Sequence, residues 1–164
     1  MTTPGGQSAI SAADEFTYIP APTVTAVSPN AGPTSGTNSV TITGTNLSGA
    51  TAVTFGATAA TGYTVISPTQ ITATVPAGSA TTINVRVTTG GGTSGLAVGN
   101  QYTYVAAPTV TTISQNAGPL AGGTTVVITG TGFLAAPGTG AVKFGAANAT
   151  YIIDSNTQIT ATSP

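Results

Sequence analysis

The chain has 164 residues, of which only two are basic and three acidic, so its formal net charge is −1 at pH 7. It contains no His, no Cys and no Trp. These counts exclude zinc or iron–sulfur sites built on Cys and His, a Cys–His nucleophile pair, and the many phosphate contacts of a nucleic-acid partner.

Membrane and secretion signals are also missing from the sequence. No apolar run approaches the roughly 18 residues that a membrane span requires. Residues 1–10 have neither the basic region nor the apolar stretch of a secretion signal. We therefore expect no membrane insertion, and the composition indicates no cofactor and no metal.

Short runs of Val, Ile, Thr and Tyr alternate with a period of two, which is typical of half-buried β-strands. The clearest, in chain order, are residues 39–43, 70–75 and 82–87. In the first run, Val40 and Ile42 are expected to face the core. Gly, Pro, Asn and Ser separate the runs as turn residues, and no long helical pattern occurs. The sequence therefore predicts an all-β sandwich or barrel.

Several positions can be assigned within these elements. Residues 44–46 (Gly-Thr-Asn) are a strand exit, because Gly and Asn tolerate positive φ. Phe55 is expected in the core, with a turn at Gly56 directly after it. Tyr102 and Tyr104 lie two residues apart on a final strand, so both should point into the core.

The chain repeats itself. Residues 22–25 (Pro-Thr-Val-Thr) recur 86 positions later, at 108–111. Further matching blocks follow in the same order: 30–33 with 116–119, 40–45 with 126–131, 53–56 with 142–145, and 69–74 with 157–162. The second copy gains a few residues around Ala135-Ala136-Pro137-Gly138. The beginning of the chain matches the end of a repeat, since residues 2–6 resemble 88–92 and residues 16–19 resemble 102–105.

Three segments follow from this pattern. Residues 1–21 are the final strand of a preceding or neighbouring repeat, residues 22–107 form one complete repeat, and residues 108–164 form a truncated repeat that lacks its last strands. We call the last two the complete repeat and the C-terminal repeat.

The ordered blocks resemble the IPT/TIG family of immunoglobulin-like domains. They run from Pro-x-Val-x-x-Val-Ser-Pro-Asn-x-Gly-Pro at Pro22, through Val-x-Ile-x-Gly-Thr-Asn-Leu, Val-x-Phe-Gly and Thr-Gln-Ile-x-Ala-x-Val-Pro, to the Tyr-x-Tyr ending at Tyr102. The resemblance implies tandem immunoglobulin-like β-sandwiches of roughly seven strands. It also implies an extracellular or cell-surface location in bacteria, where such domains commonly occur in tandem.

The C-terminal repeat lacks counterparts of five core residues, namely Ile83, Val85, Val87, Tyr102 and Tyr104. At about 1.5–3 kcal/mol for each buried large side chain, the loss is roughly 10 kcal/mol. That is comparable with the net stability of a whole domain, so this repeat is not expected to fold alone.

Two explanations remain open. The chain is a window of a longer repeat array, or it is a subunit whose residues 1–19 complete the C-terminal repeat of a neighbour by strand addition. Repeated head to tail, the second arrangement produces a filament. The donated strand would present Phe16, Tyr18 and Ile19. The N-terminal segment and the C-terminal repeat together still lack counterparts of residues 77–86, which favours the first explanation.

Few residues of the chain are candidates for catalysis or metal binding. Asp14 and Glu15 are adjacent, so on a strand they face opposite ways and do not form an acid/base pair. They are interpreted as solvated charges, with an interdomain calcium site as the alternative. Lys143 is expected to point outward between Val142 and Phe144, which argues against a covalent crosslink to a buried acid.

Two further motifs carry no chemistry. Residues 90–92 (Gly-Gly-Gly) are interpreted as a turn, because no helix and no lysine follow as in a phosphate-binding loop. The glycosylation sequons at Asn46 and Asn148 are interpreted as chance matches.

We predict a non-enzymatic structural module of an extracellular bacterial fibre, filament or surface stalk. Residues 20–22 and 106–108 would be short joints stiffened by proline. The expected partner is another copy, head to tail, or the continuation of the array. The alternative is an adhesin module that binds a carbohydrate or a protein, in which Tyr63 or Tyr151 would stack on a sugar ring. No acid/base set supports an enzyme.

Overall fold

The computed structural model describes residues 2–7, 9, 15–135 and 142–164. Within these ranges nearly all regular structure is β, and the exceptions are 3-10 helices at Val98–Asn100 and Phe133–Ala135. The predicted all-β class is confirmed. The chain divides into two compact units, one drawn from residues 1–29, 39–75 and 83–101 and the other from residues 30–38, 76–82 and 102–164.

The first unit contains a four-stranded antiparallel sheet of the complete repeat. Its strands are β3 (Thr23–Ser28), β5 (Ser39–Thr45), β8 (Gly62–Ser67) and β9 (Gln70–Thr74), in the order β3-β5-β9-β8. Burial alternates along β5 as predicted: Val40 and Ile42 are buried, and Ser39 and Thr43 are exposed.

The other strands of this unit supply the second layer of the core. β6 (Ala52–Phe55) pairs with both β7 (Thr58–Ala59) and β10 (Thr82–Thr89), and β10 turns back into β11 (Gly92–Thr93). Phe55 is buried and Gly56 follows it with φ 62°, so the predicted core aromatic and turn are both present. Asn46, directly after β5, has φ 55°.

Residues 94–100 cover β3. Gly99 lies so close to the Thr25 carbonyl that a Cβ there would overlap it. The fully buried Asn100 fixes the segment, because its Nδ2 donates to the Gly95 carbonyl at 3.0 Å and its Oδ1 accepts from the Ala97 amide at 3.2 Å. Val24 on β3 is consequently only 4% exposed.

The beginning of the chain reproduces the end of β10. β1 (Thr2–Thr3) and β2 (Gly6–Gln7) form a hairpin in which Thr3 pairs with Gly6. The hairpin of β10 and β11 pairs Thr89 with Gly92 in the same register. Gly6 and Gly92 have φ values of 119° and 120°. The repeat correspondence therefore extends to the backbone.

The second unit contains the last strand of the complete repeat. β4 (Ala31–Pro33) lies parallel to β12 (Gln101–Val105), with Tyr104 opposite Gly32. Tyr102 and Tyr104 are both buried on one face of β12, as predicted. On the other side of β12, the Tyr104 amide donates to the Thr81 carbonyl at 2.9 Å.

The C-terminal repeat has one four-stranded sheet and a short hairpin. The sheet has the order β13-β14-β18-β17, and the strands are β13 (Thr109–Ile113), β14 (Thr125–Thr131), β17 (Thr150–Ser155) and β18 (Gln158–Thr162). The hairpin pairs β15 (Lys143–Phe144) with β16 (Ala147–Asn148). The predicted insertion around residues 135–138 lies outside the described residues from 136 onward. The expected instability of this repeat in isolation stays a prediction.

Candidate functional site

Equivalent side chains of the two repeats differ sharply in exposure. Val24 is 4% exposed, whereas its counterpart Val110 is 63% exposed. Val27 is 6% exposed, whereas Ile113 is 46% exposed. In the complete repeat, residues 94–100 cover this strand. No described residue takes that place over β13, so the inner face of the C-terminal sheet is open at this edge.

The centre of the same sheet is nevertheless closed. Val126 and Ile128 on β14 and Ile159 on β18 are buried, and Phe133 packs with them. Val142, Phe144, Tyr151 and Ile153 pack against this cluster and stay partly exposed. The C-terminal repeat therefore has half of a sandwich core.

A cavity of about 340 Å³ lies along the open face. That volume is far above the roughly 30 Å³ share of one water molecule. We call it the open cleft and define it by six of its lining residues: Gly118, Thr124, Val126, Phe144, Ser163 and Pro164. Its position is held by the Thr124 amide, which donates to Ser163 Oγ at 3.0 Å.

The complete repeat shows what occupies the equivalent place. The Tyr102 hydroxyl donates to Asn38 Oδ1 at 3.1 Å, and Asn38 is the counterpart of Thr124. The Tyr104 hydroxyl donates to the Pro76 carbonyl at 2.9 Å, and Pro76 is the counterpart of Pro164. The open cleft is therefore the place that two tyrosine side chains fill in the complete repeat.

The segment beside the open cleft has a different backbone structure from its counterpart in the complete repeat. Residues 31–33 and 117–119 have the same sequence, Ala-Gly-Pro. The first copy is strand β4, paired in parallel with β12. The second copy is not a strand. Since the residues are identical, the difference comes from the partner strand, and the 117–119 edge is a strand site without its partner among the described residues.

The predicted assembly residues lie in an irregular segment and not in a strand. Phe16, Tyr18 and Ile19 are 77%, 87% and 59% exposed. The rings of Phe16 and Tyr18 contact each other edge to face, with centroids 4.8 Å apart and planes at 80°. Their insertion into a partial sandwich of another copy or repeat stays a prediction.

The predicted sugar-stacking residues occupy matching positions on the edge strands β8 and β17. Tyr63 is 37% exposed, and its hydroxyl donates to the Ala50 carbonyl at 3.1 Å. Tyr151 is half-buried against the core of the C-terminal repeat. A ligand-stacking role for either ring stays a prediction.

The remaining charged residues were the candidates for a covalent crosslink or a calcium site. Lys143 is exposed between half-buried Val142 and Phe144, as expected. Asp154 Oδ2 accepts a hydrogen bond from Thr160 Oγ1 at 2.7 Å. Asp14, the centre of the calcium alternative, lies outside the described residues. Across the parts of the chain that are described, no three acidic side chains come together, and no helix is long and apolar enough to cross a bilayer.

Sequence reasoning missed the segment 94–100 and its two buried polar anchors, Ser94 and Asn100. Ser94 Oγ accepts from the Val87 amide at 3.0 Å, so the segment is bonded to β10. In the sequence, Ser94 and Asn100 flank the apolar residues Leu96 and Val98. Such a pattern is too common to predict that the segment covers β3.

The IPT/TIG domain family matches residues 22–104 and 108–164. Since the match spans most of the chain and the fold is a β-sandwich, the chain belongs to the IPT/TIG domain family. The resemblance carried by the ordered sequence blocks is confirmed.

No curated protein sequence matches the chain. Among solved structures, the extracellular region of plexin A4 is 22% identical, with a TM-score of 0.48, over 93% of this chain and 16% of that one. SGBP-B from a xyloglucan utilization locus in Bacteroides uniformis is 20% identical, with a TM-score of 0.43, over 88% of this chain and 43% of that one. The surface glycan-binding protein PbSGBP-B from Prevotella bryantii is 21% identical, with a TM-score of 0.38, over 87% and 36%.

The chain thus spans less than half the length of each of these proteins.

Proposed function

We propose that this chain is a non-enzymatic structural segment of tandem immunoglobulin-like repeats on the exterior of a bacterial cell. Its C-terminal repeat is completed by β-strands of an adjacent repeat or subunit, which builds an extended fibre or stalk. The observation that carries the proposal is the exposure of Val110 and Ile113, whose counterparts in the complete repeat are buried.

Burial of apolar surface is the driving force for this completion. Covering a Val or Ile side chain fully contributes about 1.5–3 kcal/mol. The open cleft and the exposed face of β13 together offer several such positions, while the centre of the sheet is already packed. A strand that covers this face therefore gains free energy without reorganising the sheet.

The low charge supports a structural rather than a catalytic role. Five charged side chains in 164 residues leave few candidates for acid/base chemistry. A nearly neutral surface of Thr, Ser and Gly also offers little electrostatic repulsion between neighbouring domains or copies.

The proposal is tested by completing the C-terminal repeat artificially. A chain in which residues 77–107 are fused again after Pro164 should stabilise this repeat by about 5–10 kcal/mol, because the added strands restore the missing core. Denaturant unfolding followed by hydrogen exchange of the β13 amides measures this gain.

The matched control carries Tyr102→Asp and Tyr104→Asp in the added segment only, so that the same length of chain cannot enter the cleft. The proposal requires the control to remain as labile as the unfused chain. If the fused chain and the control unfold alike, the open face is not half of a sandwich and the proposal is wrong.

A further inference from the structure

We infer that Asn46 and the turn at residues 90–92 form a docking surface for the backbone of residues 19–21, the joint that enters the complete repeat. All of these residues belong to the first compact unit. From the sequence alone, the three glycines were interpreted only as a turn. The contacts of this turn in the structure indicate a second role. The inference goes beyond the proposed function, since the contacts that carry it do not involve the open cleft.

The side chains of the joint do not anchor it. Residues 15–21 are exposed throughout, and Ile19 is 59% exposed. Pro22 is the first buried residue after them. A cavity of about 530 Å³ lies beside the joint, and Ile19, Pro20 and Thr51 are among its lining residues. Since the joint has space to move, its position depends on contacts to its backbone.

The closest of these contacts involves Gly91. A Cβ on Gly91 would overlap the carbonyl oxygen of Pro20 and would lie 2.7 Å from that of Ile19. The φ angle of Gly91 is not positive, so space and not backbone conformation requires glycine at this position. Gly92 differs, because its φ of 120° is one that other residues rarely adopt.

The turn is held in the shape that brings Gly91 to the joint. Thr89 pairs with Gly92 in the hairpin of β10 and β11. The Gly91 amide donates to Thr89 Oγ1 at 3.2 Å, and Thr89 is only 7% exposed. The turn is thus fixed to the buried end of β10. A larger residue at position 91 is therefore expected to displace the joint and not the turn.

The first hairpin of the chain supports this division of roles among the glycines. Residues 2–6 correspond to residues 88–92, and Pro4 occupies the position of Gly90. Glycine is kept at the other two positions of the turn. A Cβ on Gly90 would lie 3.6 Å from Ile19 Cδ1, an ordinary contact distance. Position 90 therefore has room for a side chain, whereas position 91 does not.

Asn46 adds a directional contact to the joint. Its Nδ2 donates to the Ala21 carbonyl at 3.2 Å. Asn46 lies directly after β5 with φ 55°, a conformation that Asn adopts more readily than most residues. Its counterpart in the C-terminal repeat is Gly132, with φ 77°. The strand exit thus forms without an amide side chain, which leaves the contact to Ala21 as the role of the Asn46 amide.

The partner of this surface is defined by its backbone. Both Gly91 and Asn46 contact carbonyl groups, so the surface selects a short segment by shape and not by its side chains. The fitting partner is an apolar segment that leads directly into the proline at the start of a repeat. Residues 105–107 (Val-Ala-Ala) precede Pro108 in the same way. In a tandem array, this surface would fix the direction in which one repeat follows another.

Backbone order parameters from NMR relaxation test the docking directly. In the full chain, the Ile19 and Ala21 amides should be as rigid as strand amides, with order parameters of about 0.85. Gly91→Ala should lower both values below about 0.6, because the added methyl group displaces the joint. Gly90→Ala makes the same change in the same turn and should leave both values unchanged. Equal values for the two variants, or a mobile joint in the unsubstituted chain, would overturn the inference.

The amide contact is tested at Asn46. Asp has nearly the same shape and also tolerates positive φ, but its carboxylate cannot donate to a carbonyl. Asn46→Asp should therefore lower the Ala21 order parameter below about 0.6. Ser48→Ala changes a neighbouring exposed side chain beside the same cavity and should have no effect. A rigid Ala21 amide in Asn46→Asp would contradict the inference.

The chemical shifts of residues 39–43 monitor the fold in all four variants. They should match those of the unsubstituted chain, since none of the four substituted positions is buried. A joint that becomes mobile only where these shifts also change would show unfolding and not undocking, and would overturn the inference.

Discussion

At the scale of single residues, the Tyr104 hydroxyl links the last strand of the complete repeat to the segment after β9. It donates to the Pro76 carbonyl at 2.9 Å in a buried position. Burial, and secondarily the neighbouring Tyr102, raises the pKa of the Tyr104 phenol above its usual value of 10.0. Folding therefore favours the neutral phenol. Its stabilising contribution is complete below about pH 10 and is lost as the pH rises through the raised folded pKa.

Tyr104→Phe is expected to lower the free energy of unfolding by about 1–3 kcal/mol at neutral pH, because the Pro76 carbonyl loses its donor. The variant should also lose less stability than the wild type above about pH 10. Urea unfolding on both sides of that pH measures both effects. Tyr63→Phe, which removes a hydroxyl at a partly exposed position, is the control and should change stability by under about 0.5 kcal/mol. A Tyr104→Phe variant as stable as the wild type would contradict this account.

At the scale of elements, the same residues behave differently in the two repeats. The alternation along β5 and β14 was predictable, because a period of two with Val and Ile on one face leaves a single way to bury the strand. Residues 31–33 and 117–119 were not distinguishable, since identical residues form a strand only where β12 supplies a partner. Local sequence does not encode that partner.

Some features of the candidate site were also predictable from the sequence, and others were not. The lack of counterparts for Tyr102 and Tyr104 in the C-terminal repeat is visible in the sequence, and it predicts an open core. The hydrogen bond between Tyr102 and Asn38 is not visible there, because it joins residues 64 positions apart. The cover formed by residues 94–100 has no periodicity, so only its buried hydrogen bonds reveal it.

Equivalent truncations should therefore have unequal costs. Val24→Ala removes side-chain volume beneath the cover and is expected to destabilise the complete repeat by about 1–3 kcal/mol. Val110→Ala makes the same change at an exposed position and should cost less than about 0.5 kcal/mol. Chemical denaturation of each repeat measures the two values. Equal costs would show that the two strands are covered alike.

At the scale of the whole molecule, the proposed function requires the C-terminal repeat to be open until a strand from elsewhere covers it. The proposed array agrees with the expected proline-containing joints at residues 20–22 and 106–108 and with the low net charge of the chain.

Hydrogen–deuterium exchange across a range of protein concentrations tests this claim most directly. In dilute solution, the amides of residues 109–113 should exchange many-fold faster than those of residues 23–28, and their protection should rise as the concentration rises. Strong and equal protection of both strands in a dilute, monodisperse monomer would contradict the claim, because the C-terminal face would then be closed without any strand from another copy.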